Sequence, residues 1–592
     1  CGMKHVVPYR ISIPEPQQES IQKEEPTYKF EGVYRHTLFD GLQEVRCPIC
    51  HSEDCSHYKE QKIKPGKTKT TYSLNLNPLK PFTVVNKKEK IKRKEKVITE
   101  DKFICVSRPR RFGKSMAVKM LAAYYDRTCD SHALFDGLKI AETEEYEKRM
   151  NHSDVICLDI SWFRVNAGKA ELVVPMLQDA VIREVRERYP DCIAPDEKSL
   201  PVALAEVNEQ TGARFVIIID EWDCLFREDK MDKKSQENYI ELLRGLFKGG
   251  PAQRFISLAY LTGILPIKKY GTQSALNNFK EYTMVRPKVL AKYVGFTEPE
   301  VQKLCERYGM DFEETRRWYD GYCFSGVSSV YSPNSVVEAM NNREFGNYWT
   351  ETETYEDLKT YIEMDFDGLK RSILTMLGGG KCRVNTRRFQ NDLTEINSRD
   401  DVLTLLVHLG YLAYDPEKAE VFIPNQEVAD EFENAIEDGN WAEIAATLHD
   451  SEELLQATLA GDAETVAQKI DEAHIANASV LAYHNELSLS CVITIAYYSA
   501  RRHYQLIREF PSGKGFADIA FIPHRHSDYP AMLVELKWDQ DADGAIAQIK
   551  ERKYTGALKE YAKTGRLLMV GISYDKKDKV HHCVIKRSEQ IS

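Results

Sequence analysis

The stretch Phe103-Ile-Cys-Val-Ser-Arg-Pro-Arg-Arg-Phe-Gly-Lys-Ser-Met116 constrains the fold more than any other part of the chain. The apolar run from Phe103 to Val106 predicts a buried strand. A tight loop follows, and the residues from Met116 to Tyr125 continue with helical composition. A strand, a loop ending in Gly-Lys-Ser and a helix together make a P-loop, whose backbone amides and helix N-terminus face phosphate oxygens. In that arrangement Lys114 sits on the β- and γ-phosphates of ATP and the Ser115 hydroxyl ligates Mg²⁺. Arg108 occupies the position where G-x-x-x-x-G-K-[ST] has its first glycine.

A Gly-Lys-Ser alone is also what a helix cap after a turn looks like, so a second signal is needed. Arg214-Phe-Val-Ile-Ile-Ile-Asp-Glu221 supplies it: a hydrophobic strand ending in two acids. Asp220 is placed to hold Mg²⁺ through water, and Glu221 to polarise the attacking water. Thr262 ends a later apolar run. Its hydroxyl either senses the γ-phosphate or ties down the turn before Gly263. The nucleotide-binding set expected is Arg108, Arg111, Gly113, Lys114, Ser115, Asp220 and Thr262, with Glu221 catalytic.

Between Val97 and Gln273, strand-like runs recur at 103–107, 155–160, 215–220 and 255–262, with helix-like stretches such as 173–188 and 236–247 between them. Alternation of this kind predicts a parallel α/β sheet covered on both faces, with ligands at the C-terminal strand ends. At 592 residues the chain has room for several domains. No apolar run reaches the roughly 18–20 residues that span a bilayer, so no membrane association is expected. The opening Cys1-Gly-Met-Lys-His-Val-Val-Pro lacks the apolar core of a signal peptide. The fourteen cysteines are mostly scattered singly, which suits reduced thiols in a cytoplasm. A net charge of −10 argues against wholesale coating of nucleic acid, while leaving room for a local basic groove.

Residues 1–96 are Cys-rich and basic. Cys47, Cys50, Cys55 and His57 supply four soft ligands within eleven residues and suit a tetrahedral Zn²⁺; the alternative is a set of free thiols, since no distant second pair completes the pattern. From Asn86 to Lys96 run seven basic residues and two Glu, a solvated tether or a contact for phosphate backbone. Residues 274–430 read as mainly helical, with the aromatic cluster Trp318-Tyr-Asp-Gly-Tyr322 serving packing of a lid. Residues 403–414 and 421–424 predict a helix and short hairpin, as in a winged helix. The acidic, Ala-rich stretch 431–479 predicts a helical connector.

The last 113 residues, 480–592, hold a second constellation. Asp518 lies near the start of one strand, and Met532-Leu-Val-Glu-Leu-Lys537 is another, whose alternation sends Glu535 and Lys537 to one face. Asp518 and Glu535 from neighbouring strands would share a Mg²⁺, with Lys537 activating water and Glu486 adding a carboxylate. Gln548 follows on a helix. An isolated E-x-K means little, because any amphipathic strand carries one.

Taken together, Arg-Pro-Arg-Arg-Phe-Gly-Lys-Ser (108–115), Ile-Asp-Glu-Trp-Asp (219–223), Leu-Thr-Gly-Ile-Leu-Pro-Ile-Lys-Lys (261–269), Gly-Phe-Thr-Glu (295–298), Trp-Tyr-Asp-Gly-Tyr (318–322), Tyr-Ser-Pro-Asn-Ser (331–335) and Ile-Pro-Asn-Gln-Glu-Val (423–428) carry a family resemblance. The chain resembles bacterial AAA-ATPase-like proteins with a C-terminal PD-(D/E)xK nuclease-like domain, over roughly residues 100–575. The family's early Tyr-Val-Asp-Lys-Thr segment is absent, and the Cys-rich stretch stands in its place. The resemblance implies a P-loop NTPase parallel sheet, a winged-helix-like middle region and a restriction-endonuclease-like α/β domain. Boundaries are expected at 1–96, 97–273, 274–430, 431–479 and 480–592. The implied function is an ATPase coupled to a metal-dependent nuclease, acting on DNA ahead of RNA. The alternative is an ATP-driven switch or nucleic-acid-binding module whose nuclease-like domain is inactive.

Overall fold

The structure, a computed structural model, describes residues 62–64, 67–68 and 102–588, except 229–231, 268–275, 294, 350–355, 365, 388, 390–395, 440, 478–485, 513–514, 525–526, 552–557, 559–560 and 562–563. The cluster Cys47, Cys50, Cys55 and His57 and the basic run ending at Lys96 lie outside the described residues. The chain divides into two compact units. One comprises Cys1–Tyr348 with Val384–Ala419, and the other Trp349–Arg383 with Glu420–Ser592. Among the described residues no helix is long and apolar enough to cross a membrane. The described cysteines are all free thiols.

The first unit is built on five parallel strands: β1 (Phe103–Ser107), β2 (Asp154–Asp159), β3 (Phe215–Asp220), β4 (Ile256–Gly263) and β5 (Lys280–Tyr282). They lie in the order β2-β3-β4-β1-β5. Every residue of β1 and β3 is buried, the continuous apolar pattern of strands covered on both faces. Four of the five strands, β1 to β4, follow the runs expected from sequence to within a residue. The fifth was not expected. Lys-Glu-Tyr carries no apolar run, and as an edge strand paired only with β1 it needs none.

Parallel pairing brings Ser107, Asp159, Asp220 and Gly263 to the same edge of the sheet, with Ser107 opposite Gly263 and Asp159 opposite Asp220. Helix α1 (Lys114–Tyr125) leaves β1 through the loop at this edge. Gly113 makes that turn possible, because its φ of 77° lies in the left-handed region. Phe112 is buried and meets the Tyr322 ring edge-on at 5.2 Å, which anchors the loop from below.

The rest of this unit contains short strands and helices around an aromatic core of Phe296, Tyr319, Tyr331 and Tyr348. Tyr319 and Tyr322 are fully buried, and their hydroxyls donate to the carbonyls of Gly346 (3.0 Å) and Gly410 (2.6 Å). Packing is thus what the Trp318–Tyr322 cluster does. Gly295-Phe-Thr-Glu298 is a helix start. Thr297 caps the helix Glu298–Tyr308, and the Glu300 carboxylate accepts from the Thr297 amide at 3.1 Å, closing a capping box.

In the second unit the helices Ala442–Ala460, Ala463–Asn477 and Glu486–Ala496 accompany a mixed sheet. Its strands are β6 (Tyr504–Ser512), β7 (Gly515–Pro523), β8 (Ala531–Trp538), β9 (Leu567–Asp575) and β10 (Val580–Arg587), in that order. Only β8 and β9 run parallel. The Asp471–His581 contact (2.6 Å), made by a buried His581, ties the helix Ala463–Asn477 to β10. Together the two units make an α/β protein.

Gly295 has little room for a side chain. Its φ is +102°, and an added Cβ would lie 2.5 Å from Val330 Cγ1 and 3.1 Å from the Tyr331 carbonyl oxygen. Gly295→Ala should therefore cost about 2–4 kcal/mol. A denaturant titration that leaves the midpoint unmoved would refute this.

Candidate functional site

At the C-terminal edge of the first sheet, the sequence places Asp220 and Glu221 where a wholly buried strand ends. Asp220 is buried, and the Ser115 hydroxyl hydrogen-bonds it. Burial, with the neighbouring Glu221 charge adding to it, pushes the Asp220 carboxyl up to about 7; the Ser115 bond opposes the shift. Glu221 turns out of the strand with φ 49°, a strained conformation for a non-glycine residue. Burial works against its ionisation, but Lys114, Arg227 and Arg110 outweigh it and hold the carboxyl below its usual range. Lys114 Nζ donates to the Pro109 carbonyl at 2.9 Å and lies 3.9 Å from Glu221 Oε1.

Lys114, Ser115, Asp220 and Glu221 therefore meet, as their motifs require. Among the described residues no side chain caps the N-terminus of α1, and its first turn holds no acid. Arg111 is exposed on the loop with φ 65°. Two expected members are buried beneath this edge. Arg108 is fully buried, and its Nη1 donates to the carbonyls of Ser107 (2.8 Å) and Tyr282 (3.1 Å). Its guanidinium stands 5.8 Å from the Phe324 ring, and burial draws its pKa down to about 10. Thr262 is also fully buried, its hydroxyl donating to the Val106 carbonyl at 2.8 Å, a tie between adjacent strands. Neither is open to a phosphate, because both are fully buried; the Thr262 hydroxyl is held by a backbone carbonyl, while Arg108 Nε and Nη2 have no hydrogen-bond partner among the described residues.

Three residues at this edge received no role from sequence reasoning. Asp159 caps the helix Ile160–Ala167 by accepting from the Trp162 amide at 3.1 Å; nothing local separates it from any other N-cap. Asp223 belongs to the Ile-Asp-Glu-Trp-Asp motif, which was its signal. Arg227 lies beyond the motif. It pairs with Glu221 Oε2 through Nη2 and with Asp223 Oδ2 through Nε at 3.1 Å.

In the second unit, β7 and β8 are paired with Ile519 opposite Val534, which puts Asp518 across from Glu535 on one face. The Asp518 carboxylate accepts from the Leu536 amide at 2.7 Å. Lys537 Nζ lies 3.3 Å from Glu535 Oε1 and donates to Gln548 Oε1 at 2.8 Å, and the Gln548 amide also contacts Glu535. Gly571, opposite Glu535 on β9, lets the Gln548 helix (Ala542–Glu551) come close, since a Cβ there would lie 2.5 Å from the Ala542 carbonyl oxygen. Glu486 opens the helix Glu486–Ala496, and its side chain lies outside the described residues.

Glu535 is buried, and its Oε2 has no hydrogen-bond partner among the described residues. Burial pushes its carboxyl up to about 7, with the Asp518 charge adding and Lys537 opposing. A buried carboxylate oxygen without a donor, beside a second carboxylate, suits a divalent cation. Among the described residues no cluster of three or more His, Cys, Asp or Glu side chains is arranged to hold a metal.

Comparison with known proteins gives the two regions separate relatives. Residues 84–272 match the family model described as predicted AAA-ATPase, and residues 485–583 match that of the PD-(D/E)XK nuclease superfamily. An uncharacterised protein from the vnfD 5′ region of Azotobacter chroococcum mcd 1 is 25% identical over 265 residues, 42% of this chain and 47% of that protein. The chain thus spans about half the length of that curated relative. Two solved structures are also similar. The ORC2 protein of Aeropyrum pernix, in ADPNP–ADP complexes, has 12% identity and a TM-score of 0.25, covering 56% of this chain and 87% of that one. Cdc6p of Pyrobaculum aerophilum has 10% identity and a TM-score of 0.21, covering 63% and 97%. The chain joins an AAA-ATPase-like domain to a PD-(D/E)XK-superfamily domain.

A pH effect follows for Glu535. A carboxyl raised from 4.5 to about 7 on folding favours the folded state fully below about pH 4.5, and that contribution is lost as pH rises toward 7. Glu535→Gln should remove this share of the pH dependence and make the metal-free protein relatively more stable at about pH 8 than at about pH 5. Denaturant unfolding of both proteins at the two pH values measures it; parallel pH profiles would refute the assignment.

Proposed function

We propose that the first unit binds and hydrolyses ATP with Mg²⁺, and that the C-terminal domain is a divalent-metal-dependent nuclease, DNA ahead of RNA. The observation that carries the reading is the convergence of Lys114, Ser115, Asp220 and Glu221 at one strand edge beside the uncapped N-terminus of α1. The second cluster, Asp518, Glu535 and Lys537, supports the nuclease half.

In the ATP site, the α1 amides and Lys114 would receive phosphate oxygens, and Gly113 lets the backbone approach them. Ser115 and Asp220 would hold Mg²⁺, which neutralises charge developing on the transferred phosphoryl group. Glu221, kept ionised by its basic neighbours, orients water and accepts its proton. In the nuclease site, Asp518 and Glu535 would hold the metal, which stabilises charge on the scissile phosphate. Lys537 stands by Glu535 Oε1, where its ammonium favours hydroxide over water, and Gln548 fixes both side chains.

The test is one set of variants in two assays, ATP turnover and cleavage of single- and double-stranded DNA and RNA with Mg²⁺ or Mn²⁺. Lys114→Ala should weaken ATP binding or turnover sharply. Glu221→Gln should still bind ATP while its hydrolysis falls by at least about 100-fold. Asp518→Ala and Lys537→Ala should abolish cleavage and leave ATP turnover nearly intact. Unchanged turnover in both P-loop-site variants would refute the ATPase reading. Tight nucleotide retention without turnover, and nucleic-acid binding without cleavage, would replace it with a switch and a binding module.

A further inference from the structure

Behind the ATP-facing groups runs an ionic chain that those roles leave unused. It begins at the end of β4, where the amides of Ile264 and Leu265 donate to Asp223 Oδ2 at 3.1 and 2.7 Å. Asp223 is fully buried, and Gly263 makes room for it, since a Cβ there would lie 2.2 Å from Asp223 Oδ1. The same Oδ2 takes Arg227 Nε at 3.1 Å, one helical turn further along the Cys224–Glu228 helix. Arg227 Nη2 then pairs with Glu221 Oε2. The Arg227 side chain is 10% exposed, so the pairs are shielded from water and from screening by salt.

Two features of Glu221 give this chain a purpose. Its backbone is held at φ 49°, and only one of its two oxygens is clamped by Arg227. The other, Oε1, faces Lys114 at 3.9 Å. Phosphate would draw Lys114 away, because a multiply charged anion outcompetes one carboxylate for an ammonium. Glu221 would then lose one of the three cations that act on it, leaving the direct pair with Arg227 and the charge of Arg110.

We propose that Arg227 is the positioning residue of the hydrolytic site: it ties Glu221 to the end of β4 through Asp223, and so keeps Oε1 aimed at water once Lys114 has turned to phosphate. This rests on the ATPase reading above. The guanidinium suits the task because it presents separate, rigidly spaced nitrogens to two carboxylates; a lysine ammonium has a single nitrogen and cannot bridge them in the same way. A displacement at the end of β4 is passed along Asp223 and Arg227 to Glu221. The hydrolysis rate is then set by the loop after β4 as well as by the groups on the nucleotide.

The test measures steady-state ATP turnover, and binding of a fluorescent ATP analogue, in the full chain and in Arg227→Met, Arg227→Lys, Asp223→Asn and the double variant Asp223→Asn/Arg227→Met. Arg227→Met should lower kcat by about 100-fold, the cost of a base misplaced by about an ångström. Nucleotide affinity should stay within about threefold, since Arg227 touches no phosphate. Arg227→Lys should fall between the two, and the double variant should be no slower than Arg227→Met, because a linked chain is broken once. Unchanged or faster turnover in both Arg227 variants overturns the proposal, as do parallel losses of binding and turnover or additive losses in the double variant. If Arg227→Met fails to fold, Arg227→Lys decides: lowered kcat with unchanged affinity upholds the role, and unchanged kcat removes it. A wild type that turns over ATP beside insensitive variants removes Arg227 alone, whereas a wild type that binds no ATP removes the ATPase reading and this role with it.

Discussion

Two carboxyl groups end a strand that is buried along its whole length, and they must be accommodated where water is scarce. An isolated buried carboxylate is costly, so each needs a donor, a cation or a proton. Asp220 takes a hydrogen bond from Ser115 and otherwise drifts toward protonation. Glu221 takes Lys114 and Arg227 and stays ionised. Adjacent acids with opposite pKa shifts suit different work, as the proposed metal-holding and base roles require. The sheet order supports this division, because β4 lies between β3 and β1 and the P-loop and the β4 end come to the same edge.

The C-terminal domain meets the same constraint differently. Asp518 and Glu535 face each other across two paired strands, and the amide of Leu536 goes to the Asp518 carboxylate. Lys537 and Gln548 satisfy one oxygen of Glu535 and leave the other bare. Gly571 matters here through what it lacks: without a Cβ, the helix bearing Gln548 can approach the strand. In both domains the surrounding structure satisfies only part of what these carboxyl groups can accept.

What could be read from the residues followed from local chemistry. Strand β3 was legible because parallel strands covered on both faces are apolar throughout, and α1 because Gly-Lys-Ser follows a strand. Glu535 and Lys537 share a face because strand side chains alternate. Asp159, Arg227 and Gly571 were not legible. Their roles arise from neighbours across the sheet or along the next helix, and nothing in their own surroundings distinguishes them from an N-cap, a surface arginine or a strand glycine. Arg108 and Thr262 went the other way. Both sit in convincing motifs, yet both are fully buried, with Arg108 Nη1 donating to the Ser107 and Tyr282 carbonyls and the Thr262 hydroxyl to that of Val106.

By itself, then, the sequence determined the two α/β domains, the phosphate loop, the acid pair that faces it and the E-x-K strand. Each is written in the period of a strand or helix or in the spacing of a short loop. Only the tertiary structure decided which charges meet. Arg227 reaches Glu221 across six residues of chain, and Asp223 reaches the end of β4 across forty-one. Asp518 meets Glu535 through strand pairing. Pairings of this kind depend on register and strand order, which are set by the packing of the whole sheet and leave no mark on the residues that use them.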